Sequence, residues 1–236
     1  MNKKYILDTH MHTTSCGHGY STIKELAIEA AERKLELICI TEHSGLVPRA
    51  FFKDIMDVPN QLYGVEILKG AEVDIISSSG DVSLADKYLE SLHVIIASFH
   101  RSLIDPKSKS ENTQTLLNVI KKHGKQINIL GHLDDLRFEI DYDLICKTAK
   151  ENNIAIELND SSLNPNKGRL TSFENILELL NTAKKHNCYI SIGSDAHNAW
   201  KVGSFENAIK LIEASKYPEE LILNTDINKF KNFLAK

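Results

Sequence analysis

Short apolar runs alternate with longer amphipathic stretches along most of the chain. The runs at residues 5–7, 37–41, 66–73, 94–98, 127–130, 155–158 and 189–192 predict seven strands. Between them, apolar residues recur at helical spacing: Leu26, Ala27, Ala30 and Ala31; Leu116, Leu117 and Ile120; Leu144, Ile145 and Ala149; Ile176, Leu179 and Leu180. Thr22-x-x-Glu25 reads as a capping box, and Asp141 and Asp226 as caps of two later helices. Helices are predicted over 172–186 and 205–214, whereas 48–59 is less regular. Strands alternating with helices predict βα units around a parallel sheet. Seven such units, with about as many helices, point to an α/β fold of TIM-like barrel type, a single domain over residues 1–236. An open doubly wound sheet is the fallback, but no G-x-G-x-x-G follows a strand.

Composition changes this picture little. With 42% hydrophobic and 25% charged residues the chain is ordinary for a water-soluble domain. A net charge of −4 gives long nucleic acid or an anionic membrane little attraction. The cysteines Cys16, Cys39, Cys146 and Cys188 form no C-x-x-C pair, and Cys39 reads as a small buried hydrophobe. Lys3 and Lys4 precede an apolar run too short for a signal peptide, and no stretch reaches membrane-spanning length. The expected location is cytoplasmic.

The chemistry lies where apolar runs give way to polar turns. His10-x-His12 follows the first strand, and a period of two aims both imidazoles to one side, able to grip one ion. His18 follows in the same loop, with Cys16 between as a possible further ligand. His43, His100 and His132 each follow another strand, and Asp195 and His197 follow the last. Glu72 lies inside an apolar strand, where an unpaired carboxylate is expensive and a bridging role between ions would offset the cost. Asp74 faces the same side, but a solvated strand-end position is expected for it. A barrel gathers its strand C-termini on one face, so residues far apart in sequence can share a pocket there. His123 and His186 suit helix C-termini, and His93 precedes its strand, so none of the three joins the site.

The segments Asp8-Thr9-His10-Met11-His12, His18-Gly19-Tyr20-Ser21-Thr22, Thr41-Glu42-His43, Gly70-Ala71-Glu72, Ser98-Phe99-His100 and Gly193-Ser194-Asp195-Ala196-His197 resemble the polymerase and histidinol phosphatase (PHP) superfamily, most of all its stand-alone phosphatases of the YcdX type. The likeness runs through Leu223-Asn224-Thr225. It implies a distorted barrel of seven βα units with a trinuclear centre, commonly zinc. By that resemblance His10, His12, Glu72 and Asp195 bind one ion, Glu72 bridges to a second completed by His100 and His132, and His18, His43 and His197 hold the third. Leu133-Asp134-Asp135 departs from the proline that relatives tend to carry after the corresponding histidine.

Nitrogen and oxygen ligands suit Zn2+, Mn2+ or Fe2+. The expected reaction is hydrolysis of a small phosphate monoester by metal-activated hydroxide, with Glu72 and Asp195 central. Arg101, beside His100, is the first choice for a phosphate-binding cation, and Arg137 and Arg169 are alternatives. Asp8 reads as a partner of the ligands or a core residue. The rival readings are a phosphodiesterase or nuclease, a histidinol phosphatase, an amidohydrolase, and a non-catalytic zinc-binding module.

Overall fold

Near-continuous apolar runs suit strands covered on both faces, and here they pair in parallel. A computed structural model describes residues 4–235. Its strands are β1 (Leu7–Asp8), β2 (Leu37–His43), β3 (Gln61–Leu62), β4 (Val65–Asp74), β5 (Val94–Ser98), β6 (Ile129–Leu130), β7 (Ala155–Asn159) and β8 (Ile190–Gly193). Seven of them run in parallel, in the order β1-β2-β4-β5-β6-β7-β8, and β3 is a short antiparallel addition to the start of β4. Helices α1 (Ile23–Glu32), α2 (Phe51–Asp54), α3 (Asp86–Leu89), α4 (Lys109–His123), α5 (Tyr142–Glu151), α6 (Phe173–Lys185), α7 (Glu206–Ser215) and α8 (Ile227–Leu234) complete the domain. The expected distorted seven-unit barrel is what the chain forms.

Local chemistry explains where the helices start. The Thr22–Glu25 capping box opens α1, and a second box, Ser108–Glu111, opens α4. Asp141 and Asp226 accept from Leu144 N and Lys229 N at α5 and α8. The irregular segment at 48–59 holds α2 and a 3-10 turn, Ile55–Asp57, whose Phe52 and Ile55 are buried. The first strand starts later than predicted, because Ile6 N donates instead to Asn224 O.

Period-two alternation sorts the strand residues. Leu37, Cys39, Leu68, Val94, Ile96, Ile129 and Ala155 form an inner apolar cluster with Leu223, Phe230 and Phe233. Ile38 and Ile40 belong to the larger core against the outer helices. The lower interior is therefore apolar and plugged by α8. Two-residue steps upward on β4 lead from Leu68 to Gly70, Glu72 and Asp74, and on β7 from Ala155 to Glu157 and Asn159. The apolar inner face thus turns polar at the upper mouth.

One side chain makes three hydrogen bonds at the seam between β1 and β8. Asn224 Nδ2 donates to Leu7 O (2.9 Å) and Ile192 O (2.8 Å), while its Oδ1 accepts from Ile192 N (2.7 Å). Higher up, Asp195 N donates to His10 O at 2.9 Å and His12 N to Ala196 O at 2.8 Å. Among the described residues, no helix is long and apolar enough to cross a membrane.

Candidate metal centre

The strand ends deliver all nine expected side chains to one place. Glu72, at the inner face of β4, is the hub. Its Oε2 lies 3.4 Å from His10 Nε2, 3.5 Å from His12 Nε2 and 2.8 Å from His43 Nδ1. Its Oε1 lies 3.4 Å from His100 Nε2 and 2.8 Å from His132 Nε2. Asp195 Oδ1 stands 3.5 Å from His12 Nε2. His18 and His197 meet at 2.8 Å between their Nε2 atoms, with the His43 and His12 rings beside them.

The donor set fits divalent cations. Both Glu72 oxygens are fully buried and make no hydrogen bond, although five imidazole nitrogens crowd them. An anion desolvated that completely is costly unless charge offsets it. A cation bound among these imidazoles would offset that cost. Groups such as His10–His12–Asp195, His10–Glu72–His132 and His18–His43–His197 each place ligand atoms within 4.8 Å of one another.

Three further acids stand behind the rings. Glu157 Oε1 lies 2.5 Å from His10 Nδ1, and its Oε2 lies 3.3 Å from His132 Nδ1. Asp74 Oδ1 lies 2.6 Å from His100 Nδ1. Glu42 Oε2 is 3.7 Å from His12 Nδ1, an ionic proximity without a hydrogen bond, while its Oε1 accepts from Thr13 N at 2.6 Å. Backbone carbonyls do the same for His18, through Cys16 O, and for His197, through Asp195 O. A ring whose Nδ1–H is held in this way presents Nε2 as the free donor, the usual support of a metal-binding histidine. Asp74 is thus buried and partnered rather than solvated at a strand end, because β4 continues to it and the loop at Gly45 covers it.

Charge in the cluster is set by competition. Burial disfavours an imidazolium at His10, yet Glu157 and Glu72 hold its pKa well above the usual range. Burial and Arg169 oppose charge on His132, but Glu72 and Glu157 take it up to about 9. Burial and the neighbouring His12 push His43 down to about 4. Glu72 falls well below the ordinary carboxylate range, since the surrounding imidazoles outweigh its burial.

Two of these residues sit in left-handed backbone: His132 has φ 56° and Asp195 φ 52°. That conformation is uncommon for side-chain-bearing residues and turns the chain sharply at the strand end. It is tied down at His132 by the N–H donating to Glu157 Oε2 at 3.0 Å.

Among the described residues, Arg169 brings a cation against the cluster. Its guanidinium is within 3.2 Å of His132 Nε2, 3.3 Å of Asp195 Oδ2 and 3.0 Å of Ser162 Oγ. Arg101 is exposed in the turn after β5, and Arg137 is engaged by Asp135 at 2.5 Å. Cys16 is buried beside His12 and His197, its thiol donating to Thr13 O at 3.1 Å. Asp8, fully buried, accepts from Ser194 N and Gly203 N, so it braces the β1–β8 seam. His93 accepts from Lys69 N, His186 faces Asp143, and His123 lies 3.6 Å from Asp86, so these three stay outside the site.

Glu157 escaped the sequence reading, although the signal was there. A charged residue within Ala155-Ile156-Glu157-Leu158 is as anomalous as Glu72 in its own strand. Glu42 likewise lies inside a quoted motif, where only its neighbour His43 drew notice.

A cavity of about 550 Å³ opens beside His18, Asp195 and His197, walled by Tyr20, Asn198 and Lys201. The Asn198 Oδ1 atom is buried without a hydrogen-bond partner.

These features define a parallel α/β barrel whose C-terminal mouth carries a histidine–carboxylate cluster able to hold metal ions. The PHP domain family model matches residues 8–161, and the chain belongs to that family. A probable phosphatase of Acetivibrio thermocellus is 37% identical over 237 residues, covering 99% of this chain and 96% of that protein. One of Thermoanaerobacter sp. (strain X514) is 40% identical over 239 residues, with 99% and 96% covered. Among solved structures, a histidinol phosphate phosphatase from Lactococcus lactis, complexed with zinc, L-histidinol and phosphate, superposes with a TM-score of 0.65. It is 20% identical, with 91% of this chain and 95% of that chain covered, a likeness of fold.

Proposed function

We propose that the protein is a metal-dependent phosphatase that hydrolyses a small phosphate monoester to an alcohol and phosphate at a trinuclear centre. The observation that carries this reading is Glu72, a desolvated carboxylate with imidazoles at both oxygens. His10, His12, Glu72 and Asp195 would hold one ion, Glu72, His100 and His132 a second, and His18, His43 and His197 a third. Nitrogen and oxygen donors of this kind suit zinc, manganese or iron. Bound there, the ions supply an acidified water and neutralise phosphoryl oxygens.

The protein groups do the rest. Arg169 is placed to pair with a phosphoryl oxygen at the edge of the cluster, its planar fork already held by Ser162 and Asp195. Glu157 and Asp74 fix the orientations of the His10, His132 and His100 rings, so little reorganisation accompanies the reaction. The cavity beside His18 and His197 gives room for the alcohol. The probable-phosphatase relatives, and the zinc and phosphate of the Lactococcus lactis protein, agree with this assignment.

The test is direct. Purified protein should contain stoichiometric transition metal and release phosphate from a panel of monoesters. His10→Ala and Glu72→Ala should remain folded, lose metal and lose turnover. Full turnover by a metal-depleted variant, or no monoester hydrolysis by fully loaded protein, would refute the reading.

A further inference from the structure

Glu157 is shared between the two halves of the cluster. Its Oε1 serves His10 Nδ1 at 2.5 Å. Its Oε2 accepts from the His132 backbone N–H at 3.0 Å and faces His132 Nδ1 at 3.3 Å. Under the metal-centre reading, on which this inference rests, His10 and His132 belong to different ions. Other acids behind the rings face one imidazole each: Asp74 holds His100 at 2.6 Å, and Glu42 stands 3.7 Å from His12.

The barrel makes room for this carboxylate. A Cβ on Gly131 would lie 3.1 Å from Glu157 Oε2, and one on Gly193 would lie 3.0 Å from Oε1. The same two Cβ atoms would meet Ser98 Oγ at 2.5 Å and His10 Cβ at 2.5 Å. Glycine just after β6 and at the end of β8 thus leaves room for Ser98, His10 and Glu157 to pack together at the level of the ligands. Asn159 Nδ2 donates to Oε1 at 3.3 Å and leaves it pointing at His10.

We infer that Glu157 is a positioning residue that couples the two metal positions, fixing the His10 and His132 rings with one carboxylate so that both sites form together. A carboxylate can accept at both oxygens. An amide accepts at one and donates at the other. Glu157→Gln keeps the shape but can satisfy only one of the two rings, because its NH2 would meet either the His10 or the His132 N–H donor. Ordering one ring by the first ion orders the other through Glu157, and the second ion then binds a site already formed.

The experiment is a zinc titration of chelator-stripped protein, read by elemental analysis at limiting metal and by calorimetry. Wild type should fill these two positions as a pair, with few singly loaded molecules. Glu157→Gln should fill them in separate steps, the weaker one about 10- to 100-fold poorer than in wild type. Glu42→Gln alters a carboxylate that accepts from Thr13 N and stands behind His12 but neither His10 nor His132, and it should leave the paired filling in place. If Glu157→Gln does not fold, Glu157→Asp decides, since its shorter carboxylate reaches one ring only. Paired filling in whichever Glu157 variant folds would overturn the coupling. Wild-type protein that binds no zinc would instead defeat the metal-centre reading itself.

Discussion

The Arg169 guanidinium donates to Asp195 Oδ2 across 3.3 Å, so a cation from the loop after β7 is pinned to an acid from the end of β8. The same arginine is almost wholly shielded from solvent and lies 3.2 Å from His132 Nε2. A side chain held this way meets an incoming phosphate without first being ordered.

Replacing it should therefore weaken substrate capture more than it disturbs the metals. Arg169→Ala is expected to lower kcat/KM for a phosphate monoester about 10- to 100-fold, the scale of a charge-assisted contact. Most of the loss should come through KM, with metal content unchanged. Arg169→Lys should recover part of it, lacking the planar fork. Arg101→Ala should change little, because that residue is exposed in its turn. Steady-state kinetics beside elemental analysis would decide, and the reverse ranking would move the phosphate site to Arg101.

The Asp74–His100 contact of 2.6 Å yields a second expectation. Asp74→Asn can accept the ring proton only in one amide orientation, and it also disturbs the bond from Gly45 N. Metal affinity should drop about 10- to 100-fold with the fold retained. Competition against a chromogenic chelator measures this, and an unchanged affinity would mean that Asp74 only holds the loop.

Stability should carry a pH signature from Asp160. Its Oδ1 accepts from Asn207 N (2.7 Å) and Ala208 N (2.8 Å) at the start of α7. Burial nevertheless raises this carboxyl to about 6, against those two hydrogen bonds. A folded-state pKa above the unfolded value means that folding takes up a proton between the two. Stability from this group is thus greatest below about 4, falls as pH rises toward 6, and is level above, a change on the order of 3 kcal/mol. Asp160→Asn should remove that slope in chemical denaturation at pH 4 to 7. Parallel curves for the two proteins would assign the slope elsewhere.

At the seam, Asn224→Ala would leave Leu7 O and the Ile192 backbone short of partners in a buried place. The expected cost is about 3 kcal/mol, from stranded polar groups more than from lost packing. Urea unfolding gives the value. A change below about 0.5 kcal/mol would mean that the strands re-pair without the side chain.

Much of this was legible in the sequence because period and position carry it. Apolar runs located the strands, and histidines at their ends located the mouth, since topology alone gathers strand C-termini there. What stayed hidden depends on side-chain reach across the barrel. Glu157 and His10 are 147 residues apart, and nothing local in either segment announces the other. Arg101 drew attention by standing next to His100, yet the turn carries it outward, while Arg169 arrives from a loop whose path no periodicity describes. Asn224 was visible only as part of a motif, because its work is done on the backbones of β1 and β8.

Most of the proposed ligands stand at or just past strand ends, whereas the cavity proposed for the alcohol is walled by the connections at Tyr20, Asn164 and Lys201. On that reading, editing those connections alters which molecule is chosen while the ligand set stays in place. A lineage built on this plan can diversify its diet without reinventing its teeth.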